Sequence, residues 1–97
     1  MKEFILFMHT DNDENSEGAD WPAYFAKIRA TGRFDGGSEI GDGATFRKVD
    51  VPHPVATQLG GFIRVRAQSL EDAKQFLEGN PVYETGGTIE IRELPES

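Results

Sequence analysis

Few residues in this sequence could do chemistry, and each also has a simpler structural explanation. His9 follows the apolar run Glu3-Phe4-Ile5-Leu6-Phe7-Met8. An imidazole at the end of a central strand could act as base or hydrogen-bond donor, although a strand-end histidine bound to backbone or solvent carries more weight. His53 sits between Pro52 and Pro54, and no spacing of His and Glu supplies the further ligands zinc would need. Asp11, Asp13 and Asn15 match positions 1, 3 and 5 of a calcium loop. The sixth position is Ser16 instead of Gly and the twelfth is Pro22 instead of a bidentate Glu, so the stretch reads as a solvated acidic loop. No metal and no cofactor are expected. Arg64 and Arg66 alternate with Ile63 and Val65, so both face away from the apolar pair. There they pair with Asp35 or Glu39 of a neighbouring strand, or they hold an anion such as a carboxylate. Gly36-Gly37 and Gly60-Gly61 lack the strand-turn-helix setting of a phosphate loop and read as turns or close backbone approaches.

Positioning these groups requires a small set of elements. Residues 3–8 form an unbroken apolar run of strand length, expected to be covered on both faces. Asp20 has the character of an N-cap, Pro22 falls in the first helical turn, and Trp21, Tyr24, Phe25 and Ile28 recur at helical spacing to about Thr31, where Gly32 ends the helix. That spacing reads the aromatic stripe as core. Gly-rich signals separate two short candidate strands near 34–40 and 44–49. Alternation predicts a strand at 62–66. Ser69 and Asp72 approximate a capping box for a second helix that runs to Gly79 with Leu70, Ala73, Phe76 and Leu77 as its apolar stripe. A last strand covers 88–92. The order β-α-β-β-α-β predicts one α+β domain over residues 1–97, ferredoxin-like, with a four-stranded antiparallel sheet and two helices on one face.

The helices can cover only one face of that sheet, and the first strand is apolar on both. No segment remains to cover the other face, so a second copy packed sheet against sheet in a closed two-fold homodimer is the expectation. With 37% apolar residues in 97, the chain is a small domain that self-association would help, since it buries only about 60–70% of its unfolded surface alone. Ten Lys and Arg against 17 Asp and Glu leave a charge of −7, which argues against a nucleic-acid partner. No apolar run approaches the ~20 residues of a membrane span, so no membrane partner is expected. Met1-Lys2-Glu3-Phe4 starts no signal-peptide pattern, and the expected location is cytoplasmic. The absence of cysteine removes disulfides and thiolate chemistry.

Leu59-Gly60-Gly61-Phe62, Ser69-Leu70-Glu71-Asp72-Ala73 and Gly86-Gly87-Thr88-Ile89-Glu90-Ile91-Arg92 together resemble the YCII-related family. Within it the chain is similar to the branch named for a DGPF motif, kept here in degraded form as Asp50-Val51-Pro52-His53. The resemblance implies a ferredoxin-like fold and a homodimeric α/β barrel with a pocket at the interface. In the YCII branch a His in the first helix and an Asp after the second helix have been proposed as an acid–base pair. The matching positions here hold Tyr24 and Asn80, neither of which titrates near neutrality in its ordinary state. The expected function is therefore a small-molecule-binding or regulatory homodimer. The alternative is a minor enzyme, lyase- or dehydrochlorinase-like or isomerase-like, acting on aromatic or quinone-type metabolites through His9 or Tyr24. In either case the expected ligand is small and anionic or aromatic, and His9, Tyr24, Asp35 and Arg64 are the candidate lining of its pocket.

Overall fold

The computed structural model describes residues 1–13 and 20–96. Strand β1 (Lys2–His9) runs through the middle of the sheet, followed by α1 (Trp21–Ala30), β2 (Phe34–Glu39), β3 (Leu59–Ala67), α2 (Leu70–Ala73), a 3₁₀ turn (Lys74–Phe76), α3 (Pro81–Glu84) and β4 (Ile89–Leu94). The sheet order is β2-β3-β1-β4 with every neighbouring pair antiparallel. This is the α+β ferredoxin-like arrangement expected from the sequence.

The period of two along β1 divides its side chains. Phe4, Leu6 and Met8 are buried beneath the helices, with Ile63 and Val65 of β3 beside them. Tyr24 and Ile28 of α1, Ala73 of α2 and Phe76 of the 3₁₀ turn close the core from above. The Asp20 side chain caps α1 by accepting from the Ala23 amide at 3.0 Å, and Gly32 takes the left-handed φ of +70° that ends it. Ser69 caps α2 by accepting from the Asp72 amide at its Oγ, while the Asp72 carboxylate reaches back one residue further, to the Gln68 amide, in a variant of the capping box. At Gly37 a Cβ would run into the Phe62 carbonyl, so only glycine lets β2 approach β3 this closely.

Two expectations are corrected. The second helix does not run to Gly79: one α-turn tightens into the 3₁₀ turn, and Asn80-Pro81 starts a separate short helix. The Asn80 side chain accepts from the Val82 and Tyr83 amides, and Pro81 occupies a first-turn position where its missing N–H costs nothing. Leu70 is accordingly not core but 53% exposed. The second correction concerns 44–49, which is no strand. Residues 41–58 carry neither helix nor strand, since β3 already has β2 and β1 on its two edges and Pro52 and Pro54 lack the amides a ladder needs. Asn15 and the rest of the acidic loop from Glu14 to Gly18 lie outside the described residues.

Phe76 is 1% exposed, so Phe76→Ala should cost about 3–5 kcal/mol in denaturant melts, whereas Leu70→Ala should stay within about 0.5 kcal/mol of the parent.

Candidate functional site

Residues directly opposite one another in neighbouring strands share a face, so the register fixes what lies on the side without helices. Ile5 is flanked by Arg64 and Arg92, Phe7 by Phe62 and Glu90, and Glu3 by Arg66 and Leu94. Ile5, Phe7 and Phe62 stay only half-buried, an apolar strip bordered by charges. The charges pair along the face: Arg64 with Glu3 at 3.8 Å, Arg66 with Asp35 at 3.0 Å, and Arg92 with Glu90 at 3.2 Å. Such exposed pairs contribute little to stability, and the long Arg64–Glu3 contact leaves that guanidinium available to another anion.

At the end of this strip His9 Nε2 donates to Glu90 Oε1 at 3.1 Å, while Glu90 Oε2 accepts from Arg92. The backbone around His9 is held from both sides. Its amide donates to the Thr88 carbonyl at 3.0 Å, the next amide, of Thr10, donates to the Gln58 carbonyl at 2.8 Å, and Asp11 accepts from both the amide and the hydroxyl of Thr88. The Thr88 hydroxyl first, then its amide, hold the Asp11 carboxyl below the usual carboxylate value. His9 as hydrogen-bond partner first, and Arg92 second, do the same to Glu90. A neutral imidazole that donates from Nε2 keeps Nδ1 as an acceptor, so this histidine is oriented for proton transfer or for binding an acidic hydroxyl.

Tyr24 lies on the other side of the sheet, in the core. It is 2% exposed, its hydroxyl donates to the Phe76 carbonyl at 2.6 Å, and burial pushes its phenol above the ordinary value of 10.0 while the adjacent Asn80 side chain works the other way. Asn80 is itself fully buried, with its amide nitrogen 3.6 Å from the Met8 sulfur. The two positions that the family resemblance couples are thus neighbours in space, but they serve packing and backbone satisfaction. The four residues expected around one pocket are therefore distributed. Tyr24 sits beneath the sheet, and Asp35 is engaged with Arg66 at the β2 edge. Arg64, opposite Ile5, stands four β1 residues from His9, about 13 Å along the strand. Sequence reasoning missed Glu90 and Arg92 as partners of this face. The alternation Thr88-Ile89-Glu90-Ile91-Arg92 placed them on one side of a strand, but not the strand beside β1. Among the described residues no three His, Asp or Glu side chains converge to hold a metal ion, and no helix is long and apolar enough to cross a membrane.

The YCII-related domain profile matches residues 4–96. The chain belongs to the YCII-related family. Among solved structures, 5-chloro-2-hydroxyhydroquinone dehydrochlorinase (TftG) from Burkholderia phenoliruptrix AC1100, in complex with 2,5-dihydroxybenzoquinone, superimposes with a TM-score of 0.58 over 98% of this chain and 95% of its own. At 17% identity that likeness establishes the shared fold. No curated protein of significant sequence similarity was found. This YCII-related chain thus keeps the family fold with a neutral Tyr24–Asn80 contact in the core and its titratable cluster on the open face.

Two outcomes are expected. Because the folded phenol of Tyr24 is raised above its ordinary value, its contribution to stability is complete below pH 10 and is lost as pH rises through the elevated value. In a Tyr83→Phe background, tyrosinate absorbance should appear only above pH 10, and Tyr24→Phe, which strips the Phe76 carbonyl of its donor, should cost about 1–3 kcal/mol. Because Glu90 is depressed by His9, its carboxylate favours the fold above the ordinary value of 4.5, and that effect fades as pH falls through the lowered one. Carboxyl-carbon NMR titration of His9→Ala should show Glu90 moving back up toward 4.5.

Proposed function

We propose that this YCII-related protein is a small-molecule-binding or regulatory homodimer that holds a small anionic or aromatic ligand over the open face of its sheet. The observation that carries this reading is the Tyr24–Asn80 contact: where the resembling YCII branch is proposed to keep an acid–base pair, this chain has a buried phenol with a raised pKa beside a neutral amide. Neither can take and return a proton near neutrality. The open face supports the ligand class, because Ile5, Phe7 and Phe62 offer an apolar surface for a flat ring while Arg64 and His9 lie along it. In the homodimer a second copy closes that face, and the interface pocket of a dimeric α/β barrel would hold the ligand. A cytoplasmic location accords with this reading.

One observation favours a second reading, an enzyme of quinone-type metabolites acting through His9. Glu90 orients the imidazole as a carboxylate orients a catalytic histidine, which leaves Nδ1 free to accept a proton from a hydroxylated ring. The dehydrochlorinase with the same fold is complexed with 2,5-dihydroxybenzoquinone, which makes that compound the first probe.

Thermal unfolding with 2,5-dihydroxybenzoquinone and a series of small aromatic acids separates the two readings. A binder at 100-fold over Kd gains about 2.7 kcal/mol, a melting shift of roughly 10–20 °C in a domain of this size, with the ligand recovered unchanged. Spectroscopic consumption of the compound that disappears with His9→Ala would replace binding by catalysis, and no shift with any member of the series would remove the ligand from the proposal.

A further inference from the structure

Residues 41–58 leave the body of the protein as an arm. Both roots are tied to the sheet: the Ile40 amide donates to the Gly60 carbonyl, and the Thr10 amide donates to the Gln58 carbonyl. Between these roots the chain carries apolar side chains that its own fold does not bury. Phe46 is 90% exposed and Val51 83%, with Val49 and Val55 also open. The two limbs face each other across a groove of about 430 Å³ lined by Phe46, Pro52 and Pro54 together with Thr45, Arg47 and His53.

Three quantities indicate what covers the arm. The radius of gyration is 14.9 Å, against about 12.5 Å for a compact chain of this length. The accessible surface is 6766 Å², roughly 1,250 Å² more than the ~5,500 Å² of a typical monomer of 10.7 kDa. The open sheet face is about 19 Å across its four strands and about 20–30 Å along them, from strand spacing and rise, so two such faces bury only on the order of 900 Å² together. Specific interfaces begin at about 1,200 Å². A sheet-to-sheet contact alone is therefore too small, and Phe46, with on the order of 150–200 Å² of its own, goes far toward closing the gap. Charge agrees with a second copy as the occupant. Each chain carries −7, but within the arm Arg47 and Lys48 balance Asp42 and Asp50, so it is a long stretch that approaches another copy without net repulsion.

We propose that residues 41–58 are a clasp that packs onto the second copy of this chain, with Phe46 and Val51 as its anchors, and that this clasp makes the dimer stable while walling the His9 end of the open face. The inference rests on the homodimer proposed above. The clasp leaves the sheet beside His9 and Thr10, so the wall of the ligand site is incomplete without the partner-bound arm.

Sedimentation equilibrium of the full chain across 0.1–100 µM, a span on the order of the range in which transient and stable dimers differ, is compared with that of Phe46→Ser/Val51→Ser. Both side chains are exposed within the chain, so the variant should keep its circular dichroism. The expected result is a dimer for the parent and a dissociation constant at least about tenfold weaker for the variant, an effect on the order of 1.4 kcal/mol. Trypsin cleavage after Arg47 and Lys48 should also slow as the parent concentration rises through its dissociation constant. A parent dimer whose variant dimerises equally well, or whose arm is cut at a rate independent of concentration, overturns the clasp and leaves the homodimer standing. A parent that stays at 10.7 kDa throughout overturns the homodimer and the clasp with it.

Discussion

The structure depends on the position of β1. Paired with β3 on one edge and β4 on the other, it is one of the two central strands of the sheet, and it is apolar on both faces. Water is excluded from one of them: Phe4, Leu6 and Met8 meet α1, α2 and the 3₁₀ turn, and the core forms there. The other face has Ile5 and Phe7 in a strip with no helix above it. Burial of apolar area is the dominant favourable term in a domain this small, so half of the central strand's capacity remains unspent within one chain.

That asymmetry separates structural polar groups from those open to function. On the helix side polar atoms are few and serve the backbone. Tyr24 satisfies the Phe76 carbonyl where the second crossover breaks, and Asn80 caps α3 from a fully buried position. A buried carbonyl without a donor is costly, and this crossover, made of three short pieces instead of one helix, leaves several to satisfy. On the open side the charges lie in solvent, pair loosely and contribute little to stability, which leaves them free to meet a ligand or a partner.

Much of this was legible along the chain. The Asp20 cap, the Gly32 stop, the Ser69 cap and the alternation of β3 depend on neighbours within a few residues, and each is found where local chemistry predicts it. The break at Asn80-Pro81 was also written in the sequence, as a capping residue followed by the residue favoured in a first turn, but the apolar stripe from Leu70 to Leu77 read as one continuous helix. The shared neighbourhood of Tyr24 and Asn80 followed from the family resemblance. The burial of Tyr24 followed from its place in the apolar stripe of α1, whereas that of Asn80 did not, because a polar residue between two short helices gives no periodic signal of burial.

The sequence by itself determined α1, three of the four strands' cores and the two-faced character of β1, because period, caps and turn residues act over one or two turns of chain, but not the broken second crossover or the irregular course of residues 41–58. Only the tertiary structure decided which strand lies beside which residue. His9 and Glu90 are 81 positions apart and meet through the β1–β4 register, and a slip of one residue would have sent Glu90 into the core face. The same register put Arg64 opposite Ile5, away from His9, and the sheet itself separated Tyr24 from all three. Which groups converge depends on the pairing of distant segments, and that pairing is set by the burial of the whole apolar face together, not by any local stretch of the chain.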